Sequence, residues 1–144
     1  MIRQLAHTCF YSDDLHAMVE FYKERLGLPV QFTLQNRKGA TMGYYFACGN
    51  STFIEVFDRA LALEEWGGHD GGSEPSRRYR HMCFEVLGLA GHVADLRARG
   101  VDVSAVTDGK DGSLQAWIKD PDGNDIELME YTRASLQLGR PHSA

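Results

Sequence analysis

The sequence predicts an α+β fold built from two tandem βαβββ modules that form a cupped mixed sheet. Three observations carry that prediction. The order strand, helix, strand, strand, strand occurs twice, equivalent landmarks are separated by a nearly constant offset, and the two first strands share a local string, His7-Thr8-Cys9-Phe10 against His81-Met82-Cys83-Phe84.

The first module reads in order. Leu5 to Tyr11 is short and strand-like. Ser12-Asp13-Asp14 supplies capping side chains for a helix over about residues 13 to 26, along which Leu15, Met18, Val19, Tyr22 and Leu26 recur at helical spacing. Gly27 ends it, with Pro29 just beyond. Pro29 to Leu34, Thr41 to Cys48 and Thr52 to Asp58 read as strands, the last two joined at Gly49-Asn50, a hairpin signal.

The stretch from Arg59 to Tyr79 holds one short apolar piece and the glycine-rich run from Gly67 to Pro75, which predicts a linker or mobile loop. Then the pattern restarts. His81 to Val86 is a strand, Leu89, Val93 and Leu96 mark a helix ending at Gly100, and Val101 to Val106, Ser113 to Lys119 and Asp125 to Tyr131 are strands. One domain over residues 1–131 is expected, made of repeats 2–58 and 80–131 joined by linker 59–79, with 132–144 as a C-terminal tail.

The duplication is checked by subtraction. His81 lies 74 residues after His7, Gly100 lies 73 after Gly27, and Glu127 lies 72 after Glu55, a drift that two single-residue loop deletions explain. A His early in the first strand and a Glu in the last strand therefore occupy equivalent slots in both halves. Side chains on a strand alternate, so His7 shares a face with Leu5, Cys9 and Tyr11, and Glu55 shares one with Phe53 and Phe57. An unpaired carboxylate among phenylalanines costs about 2 to 5 kcal/mol or more. One divalent cation between two facing sheets removes that cost. Two imidazoles with two carboxylates suit Ni, Zn, Co, Mn or Fe. A lone strand His or Glu more often belongs to the core or the surface; their joint recurrence points to a metal site.

Composition narrows the partners. With 144 residues, 43% hydrophobic content and a net charge of −5, the chain has enough apolar material for a core and no global attraction to nucleic acid or anionic membrane. Met1 to His7 lacks a charged-then-apolar signal and no apolar run is long enough to span a bilayer, so a cytoplasmic protein is expected, with a small-molecule substrate, no nucleic acid and no membrane. Cys9, Cys48 and Cys83 form no CxxC pair and are read as reduced, buried fillers.

The two modules, the string Asp120-Pro121-Asp122-Gly123-Asn124-Asp125-Ile126-Glu127-Leu128 and the helix ending Phe21-Tyr22-Lys23-Glu24-Arg25-Leu26-Gly27-Leu28 resemble the vicinal oxygen chelate superfamily over about residues 2 to 131. That group contains glyoxalase I, extradiol dioxygenases, fosfomycin-resistance enzymes, epimerases and bleomycin-binding proteins. The resemblance implies a glyoxalase-like fold, and the set His7, Glu55, His81 and Glu127 is most similar to bacterial glyoxalase I, or lactoylglutathione lyase. It implies a metal-dependent lyase or isomerase that moves a proton between adjacent carbons of an α-oxo or hemithioacetal substrate through an enediolate, with Glu127 as base and Glu55 as its symmetry counterpart. The alternatives are another metal enzyme of the group, such as an epimerase, extradiol dioxygenase or thiol transferase, and a metal-free drug- or metabolite-binding protein.

Two positions depart from the glyoxalase pattern. Tyr11 stands where an Arg commonly binds a glutathione carboxylate, and Arg59 where an Asn is common, so a glutathione adduct is not fixed as the substrate. Arg59 and the Arg37-Lys38 pair are the cations left to meet a carboxylate, and Tyr11, Tyr45, Phe57, Gln115 and Trp117 are expected pocket-wall residues. The Arg77, Arg78 and Arg80 cluster reads as a solvated turn, and His16, His69, His92 and His142 lack partners at ligand spacing. A homodimer is expected.

Overall fold

Alternation along the strands and helical spacing between them produce the expected elements in the computed structural model, which describes residues 5–67 and 81–136. The chain divides into two compact units, Met1–Glu74 and Pro75–Ala144. The first contains β1 (His7–Ser12), α1 (Leu15–Val19), β2 (Val30–Gln35), β3 (Thr41–Ala47), β4 (Phe53–Asp58) and α2 (Arg59–Trp66). The second contains β5 (His81–Glu85), α3 (Leu89–Ala98), β6 (Thr107–Asp108), β7 (Leu114–Lys119) and β8 (Asp125–Glu130).

Each unit has one four-stranded mixed sheet, ordered β1-β4-β3-β2 in the first and β5-β8-β7-β6 in the second. First and last strands pair in parallel, β1 with β4 and β5 with β8, and the remaining neighbours are antiparallel. The predicted α+β fold and its duplicated strand order are therefore present in both units.

One face of each sheet is closed by its helix. In the first unit Met18, Phe21 and Tyr22 are buried, as are Phe46, Ile54 and Val56 of the sheet, with the Tyr22 and Phe46 ring centroids 5.5 Å apart. Sequence spacing leaves Phe21 off the apolar stripe. It turns inward because α1 continues as a π-helical segment over Glu20–Arg25, where Leu26 N–H reaches back five residues to Phe21 C=O. In the second unit Leu89, Val93 and Leu96 of α3 are buried, and the helix lies on β7 and β8.

Helix starts are satisfied differently in the two units. The expected Ser12-Asp14 cap forms: Asp14 accepts from Ala17 N–H at 2.9 Å, and Ser12 Oγ accepts from Asp14 N–H at 3.0 Å. At α3 the N-cap is Gly88, which has no side chain, and the Glu130 carboxylate takes its place by accepting from Gly88 N–H at 3.2 Å and Leu89 N–H at 2.7 Å.

Three expectations need correction. Arg59–Trp66, placed in a linker, is helix α2, because Asp58 caps Leu61 N–H at 2.9 Å and the following Ala-Leu-Ala-Leu-Glu-Glu run favours a helix. The remainder of the glycine-rich run beyond Gly67, with the Arg77, Arg78 and Arg80 cluster and His69, lies outside the described residues, as do His142 and most of the tail. Val101 to Val106 is not a strand: Val101 and Val103 turn into the core, while Ser104 N–H donates to Trp117 C=O and its hydroxyl accepts from Trp117 N–H, so only Thr107–Asp108 joins the β7 ladder. The cysteines are not all buried fillers either. Cys9 and Cys83 are exposed residues and Cys48 is half-buried, because the first two stand on the sheet face opposite the helix; none of the three is in a disulfide.

No helix among the described residues is long and apolar enough to cross a membrane.

Candidate metal centre

Strand register brings the predicted donors together within each unit. In β1 and β4 the facing pairs are His7 with Phe53, Cys9 with Glu55 and Tyr11 with Phe57. In β5 and β8 they are His81 with Asp125, Cys83 with Glu127 and Glu85 with Met129. In both units the Glu faces the Cys, and the His sits one diagonal step away on the same face.

The diagonal is short. His7 Nδ1 lies 3.2 Å from Glu55 Oε1, and His81 Nε2 lies 3.1 Å from Glu127 Oε2. That spacing lies near the upper end of the range for a ring N–H and a carboxylate oxygen to bond. It equally suits two donors of one ion, since ligands about 2.1 Å from a metal at angles of about 90 to 110° stand about 3.0 to 3.4 Å apart. The donor chemistry and spacing of each pair therefore fit a divalent cation. Among the described residues no group of three or more His, Cys, Asp or Glu side chains gathers as a metal cluster; each unit contributes a pair.

The two carboxylates have different surroundings. Glu55 is buried, and Cys9 and Tyr45 face it across the strands on either side. Burial, followed by the Glu55 charge, pushes the Cys9 thiol up to about 11 and the Tyr45 phenol up to about 12. In the second unit burial, followed by the Glu127 charge, pushes the Cys83 thiol up to about 12, and its Sγ donates to Phe84 C=O at 3.9 Å.

The expected pocket residues separate into groups. Tyr45 faces Glu55 across β3 and β4, and Trp117 faces Glu127 across β7 and β8, its ring edge-on to His81 at 4.9 Å. Gln115 faces Met129 on the same side as Trp117, and Tyr11 is partly exposed at the end of β1. Phe57 is core: it is buried with Met42 and Ala62 beneath α2. Arg59 Nε bonds Asp13 Oδ1 at 2.8 Å. Arg37 bonds Glu65 and the Glu64 carbonyl, and Lys38 pairs with Glu64, so both cations tie the β2–β3 turn to α2. Sequence reasoning missed the two cysteines as the residues directly across from the carboxylates, although the repeated His-x-Cys string placed them on the right face.

The chain is similar to known proteins along most of its length. The yeast Saccharomyces cerevisiae glyoxalase I is 28% identical over 90% of this chain, which spans 45% of that protein, about half its length. A lactoylglutathione lyase of Escherichia coli is 27% identical over 94% of this chain and 98% of its own. The crystal structure of a lactoylglutathione lyase from Agrobacterium tumefaciens superposes with a TM-score of 0.69 at 24% identity, covering 90% of this chain and 95% of that one. The family model for the glyoxalase/bleomycin resistance protein/dioxygenase superfamily matches residues 4–128, and with the duplicated βαβββ sheet in both units, this chain belongs to that superfamily.

Proposed function

We propose that this protein is a divalent-metal-dependent lyase or isomerase of the glyoxalase I type, acting on a small α-oxo or hemithioacetal substrate through an enediolate. His7, Glu55, His81 and Glu127 are the donors to one ion, with the two pairs drawn from one chain or from two copies. The observation that carries the reading is the repetition, at the same strand register, of a His nitrogen about 3 Å from a Glu oxygen. The similarity to proteins named glyoxalase I and lactoylglutathione lyase supports the same chemistry.

When bound, a divalent cation supplies electrostatic stabilisation to the oxygens on which the enediolate charge develops. The chain's own groups do the rest. Glu127 accepts the proton from one carbon of the substrate and returns it to the neighbouring carbon, and its Oε2 beside His81 is held on the sheet face where that carbon must sit. Glu55, buried and beside His7, serves as the anchored carboxylate. Arg37, Lys38 and Arg59 are each committed to an acidic side chain, so binding does not rest on them as a clamp for the carboxylates of a peptide thiol.

Elemental analysis of the purified protein, followed by ultraviolet detection of thioester from the methylglyoxal adducts of glutathione and of a small thiol, tests the reading. Stoichiometric metal and turnover that Glu127→Gln abolishes are expected. Absence of bound metal after supplementation with Ni, Co, Zn and Mn would overturn it.

A further inference from the structure

We propose that α2 is a cap hinged at its junction with β4 and latched at its far end by ion pairs to the β2–β3 turn, so that ionic strength controls access to one face of the first sheet. Phe57 stands two residues after Glu55, and alternation puts both on that face. The cap sits on it. Phe57 is buried with Met42 and Ala62, and the ring of Trp66, the last residue of α2, meets the Phe57 ring edge-on at 5.1 Å. Tyr45, opposite Glu55, packs at the border of the same cluster.

Apolar packing alone holds α2 weakly. Its 8 residues are too few for a helix to be stable by itself. Among its side chains only the small one of Ala62 is buried, and Trp66 is 53% exposed. Polar contacts at the two ends supply the rest. At the start, Asp58 caps Leu61 N–H and Arg59 Nε bonds Asp13, which fixes the hinge. At the end, three donors of the β2–β3 turn converge on the last turn of the helix: Arg37 N–H on Glu65 Oε2 at 3.0 Å, the Arg37 guanidinium on Glu64 C=O at 2.8 Å, and the Lys38 ammonium on the Glu64 carboxylate. That turn is a preformed catch, because the buried Asn36 side chain accepts from Lys38 N–H at 3.0 Å and from Ala40 N–H at 2.9 Å.

The second unit supplies the contrast. There too the segment after the last strand grips the turn between the second and third strands, but with neutral groups. Thr132 Oγ1 donates to Gly112 C=O at 2.6 Å, Leu136 N–H donates to Asp111 C=O at 2.8 Å, and the buried Ser113 and Ser135 hydroxyls are 2.7 Å apart. Salt screens exposed charges and leaves a buried hydroxyl pair untouched. Exposed ion pairs are individually weak, so the α2 latch is releasable where the clasp of the second unit is permanent. Lifting the far end of α2 uncovers Phe57 and Met42.

The test uses the full chain with no added metal, so its failure and the failure of the metal reading are separate events. Hydrogen exchange and hydroxyl-radical footprinting, both read by mass spectrometry, are compared at about 0.01 and about 1 M sodium chloride, between which the screening length falls from about 30 to about 3 Å. We expect the α2 amides to exchange about 3- to 20-fold faster in high salt, with oxidation at Met42 and Phe57 rising alongside. Met18 in the α1 core and the amides of Thr132 and Leu136 should stay unchanged. Lys38→Gln with Glu64→Gln should produce the same opening at low salt and remove most of the salt dependence. Indifference of α2 exchange and of Met42 and Phe57 oxidation to both salt and the double variant would overturn the proposal. A parallel rise at Met18 would overturn it too, because the whole unit would then be loosening instead of a cap lifting.

Discussion

Gly43 and Phe57 face each other across β3 and β4, and the phenyl ring fills the volume that a side chain at position 43 would need: a Cβ on Gly43 would lie 2.2 Å from Phe57 Cε1. The absent side chain lets Phe57 lie down under α2, and Phe57 in turn holds the edge of Tyr45. A glycine in the middle of a strand is ordinarily a weakness; here it is a close-approach site.

Gly43→Ala should therefore destabilise the fold by about 1 to 3 kcal/mol through overpacking. Urea unfolding measures it. Gly43→Ala combined with Phe57→Leu is expected to lose less than the sum of the two single variants, and strict additivity would show that the ring is not the obstacle.

Glu130 is expected to stabilise α3 from a distance of 41 residues in sequence. Glu130→Ala removes the acceptor of the Gly88 and Leu89 amides and should cost about 0.5 to 2 kcal/mol, the range for loss of an N-cap. Hydrogen exchange should show the loss concentrated in the first turn of α3. An unchanged exchange rate there would mean that water serves the two amides equally well.

Thiol titration gives a pH signature for the metal-free protein. Burial, reinforced by Glu55 and Glu127, raises Cys9 to about 11 and Cys83 to about 12 from the ordinary thiol value of 9.0, so the folded chain keeps protons that the unfolded chain releases. Stability contributed by the neutral thiols is present below pH 9.0 and is lost progressively toward pH 11 to 12. The urea midpoint should fall over that window. Iodoacetamide should modify these two thiols roughly a hundredfold more slowly than an unperturbed cysteine near pH 8. Glu55→Gln should speed reaction at Cys9 and leave Cys83 unchanged.

Asp120 explains why the Asp-Pro-Asp-Gly-Asn string is so specific. Its buried carboxylate accepts from Asn124 N–H at 2.9 Å and Asn124 Nδ2 at 2.8 Å, while Gly123 adopts φ 82°. Asp120→Ala leaves both groups without that acceptor and should destabilise the β7–β8 turn by about 1 to 3 kcal/mol. Because the turn sets the β8 register that places Glu127 opposite Cys83, metal affinity should fall with it. A stable variant with native affinity would show that Pro121 and Gly123 suffice to hold the turn.

Period-two alternation and an offset of 72 to 74 residues were enough, from the sequence alone, to place His7, Glu55, His81 and Glu127 in equivalent strands and to assign the fold. These are local regularities repeated along the chain, and local regularities are what a sequence displays directly. Pairings across the sheet are another matter. That Tyr45 faces Glu55 while Trp117 leans on His81, that Arg59 is taken by Asp13, and that Glu130 rather than a residue beside Gly88 caps α3 all depend on strand order and register. Such contacts join residues 10 to 46 positions apart, and only the tertiary structure chose among their partners, because each donor had several chemically equivalent acceptors and packing decided which one came within reach.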